Sequence, residues 1–520
     1  MYRISQIKLA LDEPKELLPK KIKKKLGNNI DIKDYKIVKE SIDARDKSDI
    51  RLVYTIDFDI EQRKGEKPAL KPNPKKNFSI APDMSYKAAV PGVRELKHRP
   101  VIVGFGPCGI FCALILAQQG YRPIVLERGK CVSERAEDVQ RFWNGGDLNT
   151  ESNVQFGEGG AGTFSDGKLT TGIKDTRIHK VLSEFVSAGA PEEILYKNKP
   201  HIGTDLLRDV VAKLREEIIR LGGEIRFSSK LIGIDAPSGE MKAIEVQDVL
   251  SGKSYVLETE KLVLAVGHSA RDTFRYAHEL GIEMSAKPFS IGVRIEHPQK
   301  MVDEAQYGKT KGLPPAEYKL SYRCKNGRGV YTFCMCPGGE VIMSSSQEGG
   351  VVTNGMSNHS RDSGTANSGL LVDVRVSDFD GDDALAGVEF QEKYERLAYK
   401  NGGGRYAFPK TCWADFRDGD EGAKAVIDSL PGFAVESIRE AMPHLGRKLK
   451  GFDADNAVMK AVETRSSSPV RFFRDDTLQG SIKGLYPAGE GAGYAGGITS
   501  AACDGIKVAE RIIEEFYFKG

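Results

Sequence analysis

Apolar residues recur with strand-like and helix-like spacing over the first 60 residues. Residues 2–11, 34–42 and 50–60 have the short apolar runs of strands, and residues 14–26 have the spacing of an amphipathic helix. This order predicts a small α/β module with a ferredoxin-like arrangement. The apolar face of the helix consists of Leu17, Leu18, Ile22 and Leu26, and the other face mostly of Lys20, Lys21, Lys23, Lys24 and Lys25.

The lysine-rich face has two interpretations. It is either an ordinary solvated surface, the commoner case, or a surface for a large anionic partner such as tRNA. Residues 63–78 are rich in Pro and Lys, so we predict an extended linker that completes an N-terminal unit of residues 1–78.

The strongest pattern lies in residues 101–127. A β-rich run is followed by Gly104-x-Gly106-x-x-Gly109, an apolar helix and a second strand that ends at Glu127, 23 positions after Gly104. The glycines allow a tight turn and a close backbone approach to a pyrophosphate, and an acid at about this spacing binds a ribose hydroxyl. We therefore predict a βαβ unit that binds a dinucleotide.

A second glycine-rich segment, residues 153–169, contains the start of a P-loop pattern from Gly162 to Lys168. Leu169 stands where a P-loop requires Ser or Thr for Mg²⁺, so the pattern does not indicate an NTPase. We predict a backbone wall that can approach a flat ring or a diphosphate.

The remaining pattern predicts an α/β Rossmann-like domain with a parallel sheet, interrupted by a mixed α+β domain. A helix from Thr204 and a strand at 224–227 follow, and a later buried strand that ends at Gly267 completes the sheet that begins at residue 101. We assign residues 96–283 and 455–520 to this domain, and residues 284–454 to an inserted substrate or cap domain. The last 65 residues contain a strand, a glycine turn and a long helix.

Composition changes this picture only locally. The net charge of the 520 residues is +3, but residues 1–100 contain 24 Lys and Arg against 15 Asp and Glu. The 8 cysteines are scattered, which favours reduced thiols. With neither a signal peptide nor an apolar run of membrane-spanning length in the sequence, we expect a cytoplasmic protein with no membrane partner.

Several strings resemble known flavoproteins. VIVGFGPCG with Glu127, LVLAVGH and GLYPAGEGAGYAGG resemble the FAD-binding folds of the glutathione-reductase-like superfamily. NVQFGEGGAGTFSDGKL, YTFCMCPGG, ETRSSSPVR and PAGEGAGYAGGITSAACDGI resemble a largely uncharacterised bacterial family of FAD-dependent dehydrogenases, or NAD(P)/FAD-dependent oxidoreductases, related to geranylgeranyl-reductase-like flavoproteins. The likeness covers nearly the whole chain and implies FAD as cofactor.

The resemblance also implies roles for individual residues. The three glycines of residues 104–109 would bind the pyrophosphate of FAD, and Glu127 the adenosine ribose. Gly489 and Glu490 would meet the ribityl chain and pyrophosphate, and Gly497 with Ile498 the pyrimidine edge of the flavin. Glu490 is one methylene longer than the usual Asp, and Cys108 replaces a common Ala. The cofactor contacts we predict are Gly104, Gly106, Pro107, Cys108, Gly109, Glu127, Arg128, Arg135, Gly159, Gly160, Ala161, Gly162, Thr163, Gly267, Gly489, Glu490, Gly496, Gly497 and Ile498.

A single GxGxxG unit is present, without the second Rossmann unit or the CxxxxC or CxxC pair of a pyridine-nucleotide-disulfide reductase. The electron donor is therefore either the substrate itself or NAD(P)H bound without a domain of its own.

Glu463, Arg465 and Lys168 are our candidates for catalysis, because they flank the glycine-rich segments; each could equally be part of a structural loop. Cys334 and Cys336 could be a redox pair or buried packing residues, and two cysteines do not make a zinc site, so we predict no metal. The favoured function is hydride transfer between flavin N5 and a small molecule lodged beside the inserted domain. The alternatives are a flavoprotein that acts on a nucleic acid through its basic N-terminal module, and an FAD-bound sensor without turnover.

Overall fold

A computed structural model describes residues 1–27, 30–61 and 70–519. Residues 62–69, which include the first part of the predicted linker, lie outside the described residues. The chain forms an N-terminal module, a domain around a parallel sheet, and a domain inserted into the second.

The N-terminal module is an antiparallel sheet covered by one helix, Leu18–Leu26. The strands, from edge to edge, are Ile32–Asp43, Arg51–Ile60, Tyr2–Ala10 and Phe78–Ile80. The first four predicted elements therefore occur in the predicted order. The end of the predicted linker differs: Phe78–Ile80 pairs with the first strand because the Phe78 ring packs on Tyr2, with centroids 5.4 Å apart.

Three of the five lysines on the helix are engaged inside this module. Lys21 pairs with Glu13 at 2.7 Å, and Lys23 pairs with Asp31 at 2.9 Å. Lys25 donates to a backbone carbonyl of the first strand at 2.8 Å. These contacts fit a structural, solvated face better than a surface kept free for a polyanion.

The second domain has five parallel strands with helices on both faces. In spatial order the strands are Leu485–Pro487, Leu262–Leu264, Val101–Val103, Ile124–Leu126 and Glu224–Arg226. Every residue of the three central strands is apolar and buried, as expected of a sheet covered on both sides. The predicted pairing of the strand at 101 with the strand before Gly267 is confirmed, and so is the Rossmann-like fold class.

Helices and a small meander complete this domain. The helices are Pro107–Gln118, Val132–Trp143, Arg177–Ser187, Thr204–Arg220, Arg271–Glu279 and Ile498–Glu515. The meander strands are Ser229–Asp235, Ala243–Asp248 and Ser254–Glu258. Arg94–Leu96 and Phe516–Phe518 pair in parallel, so the domain begins and ends at one place.

The inserted domain is a six-stranded antiparallel sheet with helices against it. Its strands, from edge to edge, are Ser321–Arg323, Gly329–Cys336, Thr365–Val374, Phe289–Pro298, Val458–Glu463 and Lys410–Cys412. Its helices are Gln299–Tyr307, Ala386–Asn401, Trp413–Asp418, Lys424–Ile427 and Gly432–Lys448. A hairpin of Glu340–Met343 and Thr353–Met356 lies beside the sheet. Short 3-10 helices occur at Lys15–Leu17, Pro74–Lys76, Gly160–Phe164, Glu192–Leu195, Pro237–Gly239, Val376–Asp378 and Glu421–Ala423.

The inserted domain ends later than residue 454. Val458–Glu463 pairs with Phe289–Pro298 inside its sheet, whereas Met284–Ala286 and Val470–Phe472 pair with each other outside it. We call this two-stranded antiparallel connection the neck. In the part of the chain that the structure describes, no helix is long and apolar enough to cross a membrane.

Candidate functional site

A cavity of about 690 Å³ lies between the parallel-sheet domain and the inserted domain. Its first side, which we call the glycine wall, consists of residues 104–108, 160–162, 267 and 496–498. Its second side, the insert wall, consists of residues 317–319, 332–335, 352–354, 463 and 465–466. Two domains therefore contribute to one cleft, which is the usual location of a ligand site.

The turn that opens the glycine wall depends on the absence of side chains. A Cβ on Gly109 would lie 1.9 Å from the carbonyl oxygen of Gly104, whose own φ is 100°. Gly106 precedes the helix Pro107–Gln118, and proline at its first position suits a helix start. The start of this helix borders the cavity, where the positive end of the helix favours an anionic group.

Arg135 holds the second glycine-rich segment in place. Its guanidinium is fully buried and donates to five backbone carbonyls, those of residues 153, 154, 157, 158 and 160, at 2.6–3.3 Å. Burial lowers the pKa of Arg135 to about 10. The residue therefore shapes the glycine wall from behind and does not line the cavity.

Glu127 connects the two glycine segments. Its carboxylate accepts the backbone N–H of Phe105 at 2.8 Å and those of Gly129 and Gly157 at 2.9 Å. A carboxylate has about four lone-pair sites, so an acceptor position remains, and Glu127 lines the cavity. This is where the sequence predicts a ribose hydroxyl.

The helix Ile498–Glu515 supplies the third part of the glycine wall. Its preceding residue, Gly497, has φ 139°, so the turn of residues 496–497 requires glycine and leaves the first N–H groups of the helix uncovered by side chains. A Cβ on Gly162 would lie 3.1 Å from Ile498, so the glycine segment and the helix start are in close contact. The positive end of this helix borders the cavity.

His268 and Glu490 form a polar pair on the same side. Nδ1 of His268 lies 2.8 Å from Oε1 of Glu490, and both residues line the cavity. Within residues 1–27, 30–61 and 70–519, the buried Nε2 of His268 has no hydrogen-bond partner. A buried polar atom of this kind beside a cavity is consistent with a bound ligand that completes its hydrogen bonding.

Most predicted cofactor contacts lie together at the cavity. They are Gly104, Gly106, Pro107, Cys108, Glu127, Arg128, Gly160, Ala161, Gly162, Gly267, Glu490, Gly496, Gly497 and Ile498. The others lie behind its surface, where Gly109 permits the turn and Arg135 binds carbonyls. Gly159 donates its N–H to Phe105, Thr163 bonds to the carbonyl of residue 158, and Gly489 donates to Asp504.

Glu463 lines the insert wall and is paired with a buried arginine. The Nε of Arg294 lies 2.5 Å from Glu463, and both side chains are almost completely buried. Burial raises the pKa of Glu463 to about 7, although Arg294 opposes the shift. A carboxyl group with such a pKa can take up or release a proton near neutral pH.

Arg465 is engaged by protein groups. It donates to Glu395 at 2.8 Å, and to the hydroxyls of Ser346 at 2.6 Å and Ser269 at 3.0 Å. Although burial opposes it, Arg271 and Arg465 hold the pKa of Glu395 well below its usual range. This network joins the two domains, so Arg465 positions the insert wall at least as much as it faces a ligand.

Lys168 crosses from the glycine-rich segment to the insert wall. Its Nζ donates to the carbonyl of Met335 and lies 3.6 Å from Glu317. Beside it, the buried Asp166 pairs with Arg361 at 2.5 Å. All three predicted catalytic residues therefore line one cavity. No local pattern marks Arg294, Glu317 or Arg361, which lie far away along the chain.

Among the described residues, no three His, Cys, Asp or Glu side chains are grouped so that they could hold a metal ion. The ligand class must therefore be inferred from the glycine wall. Its backbone approaches, its two helix starts and the acid at Glu127 fit a dinucleotide.

Family models identify that dinucleotide. Residues 288–466 match the family described as "FAD-dependent protein, C-terminal domain-like", and residues 1–59 match a "Domain of unknown function (DUF8436)". The fold, the cavity and this match define a flavoprotein with FAD as its cofactor.

A close relative places the chain in a family. It is 48% identical over 535 residues to a protein of Clostridium beijerinckii (strain ATCC 51743 / NCIMB 8052) described as an uncharacterized protein, and the match covers 99% of each chain. The chain belongs to the same family as this clostridial protein.

Several solved structures resemble this chain weakly. A glycerol-3-phosphate dehydrogenase of Bacillus halodurans complexed with FAD is 13% identical, with a TM-score of 0.35, and the match covers 80% of this chain and 63% of that one. A flavoprotein/dehydrogenase of Cytophaga hutchinsonii is 12% identical, with a TM-score of 0.37 and coverage of 79% and 76%. A geranylgeranyl bacteriochlorophyll reductase-like protein of Thermoplasma acidophilum is 13% identical, with a TM-score of 0.34 and coverage of 81% and 78%. With scores this low, the reaction of this chain cannot be read from theirs.

Proposed function

We propose that this protein is an FAD-dependent oxidoreductase of the glutathione-reductase-like superfamily that transfers a hydride to or from a small molecule bound against the insert wall. The observation that carries the proposal is the shared cavity, in which the glycine wall and Lys168 lie with Glu463 and other polar groups of the insert wall. When bound, FAD supplies the hydride acceptor or donor, and the protein supplies orientation and proton handling.

The residues of the glycine wall have a binding role in this proposal. The helix start at Ile498 stabilises negative charge on the flavin ring, and the turn at 104–109 holds the pyrophosphate. Glu127 keeps both glycine segments in register through its three N–H contacts and accepts a ribose hydroxyl. His268 and Glu490 offer polar contacts at the same wall.

The residues of the insert wall have a substrate role. Phe333, Met335 and Val352 provide apolar contact, whereas Thr332 and Asn354 can fix the orientation of a polar group. Glu463 holds or releases a proton near neutral pH, and Lys168 contributes a positive charge from the opposite side. A small, partly apolar substrate fits these groups.

The source of electrons is either this substrate or NAD(P)H bound in the same cavity. The part of the chain that the structure describes contains a single multi-stranded parallel sheet, and the FAD-binding turn lies at its centre. If NAD(P)H is the donor, it binds in this proposal without a Rossmann unit of its own.

Anaerobic absorption spectroscopy of the purified protein tests the proposal, with NADH, NADPH and a panel of metabolites added in turn. We expect at least one of them to bleach the flavin absorption at a rate compatible with turnover. A protein that neither contains nor takes up FAD would contradict the cofactor assignment, whereas a flavin that no donor reduces would contradict the oxidoreductase assignment.

Glu463→Gln separates the proton role from structure. We expect it to retain FAD but to lose about tenfold or more of the reduction or reoxidation rate, within the range of one lost acid–base group. Glu296→Gln is the matched control, because Glu296 pairs with Lys460 at 2.7 Å on the same sheet and does not line the cavity.

A further inference from the structure

Two cysteines of the insert wall are not explained by the function proposed above. Cys334 and Cys336 lie on the strand Gly329–Cys336, and Cys334 lines the cavity while Cys336 is completely buried beside it. No disulfide joins them, and Cys336 donates its thiol to the carbonyl of Cys334 at 3.4 Å.

The strand is distorted at this pair. Phe333 pairs with Gly369 of the neighbouring strand Thr365–Val374, and Cys336 pairs with Asn367. The strand that carries the cysteines therefore has one extra residue between these two pairs. Such a bulge re-aims side chains and is common beside active sites. Cys334 itself has φ 42°, a left-handed conformation that residues other than glycine seldom adopt.

Cations from two other elements surround the pair. Nη1 of Arg294 lies 2.9 Å from the carbonyl oxygen of Cys334 and 4.0 Å from Sγ of Cys336. Lys168 reaches the carbonyl of Met335, which stands between the two cysteines. Positive charge around a thiol that opens to a cavity is the setting of reactive cysteines.

The thiols of this protein fall into two classes. The neighbouring Cys336 thiol lowers the pKa of Cys334 to about 6, and the charges of Arg294 and Lys168 act in the same direction, whereas Cys334 and burial raise the pKa of Cys336 itself. Asp166 opposes the shift, and burial opposes it as well. The charge of Cys334 in turn raises the pKa of the nearby Glu463 carboxyl group. In contrast, burial raises the pKa of Cys503 to about 12.

We propose that Cys334 and Cys336 form a redox-active dithiol that reduces small disulfides entering the cavity, with Cys334 as the attacking thiolate and Cys336 as the resolving thiol. The inference goes beyond flavin-dependent hydride transfer and does not require that any donor reduce the flavin.

The exchange balances without a further oxidant. The Cys334 thiolate attacks one sulfur of a disulfide RSSR, which forms a mixed disulfide and releases RS⁻. Cys336 then loses its proton and attacks Sγ of Cys334, which closes the Cys334–Cys336 disulfide and releases the second RS⁻. The two thiolates take up the protons, so the dithiol and RSSR give a protein disulfide and two RSH, with two electrons passed to the substrate.

The first experiment measures thiolate character at each site. The protein with its FAD is alkylated with iodoacetamide between about pH 5.5 and 9, and each cysteine is followed by peptide mass spectrometry. We expect Cys334 to react with a midpoint near pH 6 and to outpace the partly exposed Cys131 and Cys412 at neutral pH. A Cys334 that reacts no faster than these two references below about pH 8 would overturn the proposal.

Two variants of one residue then separate the hydrogen bond from the resolving thiol. Cys336→Ala should raise the Cys334 midpoint by about one pH unit or more, because it removes the donor. Cys336→Ser keeps a donor and should keep the low midpoint. If both variants leave the midpoint unchanged, the assigned partnership of the two cysteines is wrong.

The second experiment uses glutathione disulfide as the probe. The wild-type protein should release both glutathione molecules and yield the Cys334–Cys336 disulfide peptide, whereas Cys336→Ser should stop at a mixed disulfide on Cys334 after releasing one. A wild-type protein that accumulates the mixed disulfide, or that does not react, would refute the dithiol. Because neither readout depends on flavin reduction, failure here is distinguishable from failure of the oxidoreductase proposal.

Discussion

The two walls of the cavity recognise ligands by different means. The glycine wall is mostly backbone, in which two glycine segments and two helix starts border the cavity. The insert wall presents side chains, and its charged groups are already paired, as Glu463 is with Arg294 and Arg465 is with Glu395. Backbone recognition needs consecutive residues, whereas side-chain recognition can draw single residues from distant strands.

This difference predicts what a substitution in each wall should do. A change behind the glycine wall should remove FAD and stability together, because the wall consists mostly of backbone, which cannot readjust as a side chain can. A change in the insert wall should alter proton or thiol chemistry while FAD stays bound.

The largest effect is expected for Arg135→Lys. A lysine cannot reproduce the five hydrogen bonds of the guanidinium, so buried carbonyls lose their donors. We expect the protein to lose FAD and about 3 kcal/mol of the free energy of unfolding, measured by denaturant titration. Arg141→Lys on the exposed side of the same helix should change stability by less than about 0.5 kcal/mol. Equal effects of the two variants would mean that Arg135 does not hold the wall.

The next effect concerns Glu463 and pH. Burial raises its pKa from 4.5 to about 7, so the folded state binds the proton more tightly than the unfolded state. The contribution of this group to the free energy of unfolding is therefore complete below about pH 4.5. About 3 kcal/mol of that free energy is lost as the pH rises from there through about 7. Denaturant titrations at several pH values should show this slope in the wild type and in Glu296→Gln, and not in Glu463→Gln. If all three proteins have the same slope, Arg294 keeps Glu463 ionised throughout.

A smaller effect is expected for Gly106→Ala. A Cβ there would meet only the Cα of Gly160, at 3.7 Å, so the fold tolerates it, but it narrows the gap through which the cofactor approaches the backbone. We expect FAD to bind about tenfold more weakly, or about 1.4 kcal/mol, with unchanged stability of the apoprotein. Gly432→Ala, at an exposed helix start, is the matched control for FAD titration. Unchanged affinity in Gly106→Ala would place the cofactor elsewhere.

The smallest effect is expected for the pair of His268 and Glu490. Glu490→Asp shortens the side chain by one methylene and breaks the 2.8 Å contact to His268, which should weaken FAD binding by about 1 kcal/mol or less. A double-mutant cycle with His268→Asn, read by FAD titration, measures the coupling. Additive effects would show that the pair does not act together on the cofactor.

The sequence predicted the glycine wall well for a physical reason. Gly104, Gly106 and Gly109 lie close together in the sequence because they form one turn and the start of one helix, and Glu127 directly follows the neighbouring strand. Arg135 was predicted as a contact, but its buried side chain serves the carbonyls of the wall, a role that no local pattern reveals.

The insert wall could be predicted only in part. Glu463, Arg465 and Lys168 were identified because they lie near glycine motifs, but Arg294 and Glu317 approach them only through the pairing of strands far apart in sequence. The end of the inserted domain was placed too early for the same reason, since the pairing of Val458–Glu463 with Phe289–Pro298 depends on tertiary contacts.

The neck has an evolutionary consequence. Its two strands, Met284–Ala286 and Val470–Phe472, enter and leave the inserted domain side by side, about 5 Å apart as in any antiparallel pair. The whole inserted domain can therefore be replaced at the neck while the parallel sheet and its glycine turn stay continuous. Proteins that evolve from such a fold can acquire new chemistry through a different inserted domain, while the domain that binds the flavin stays unchanged.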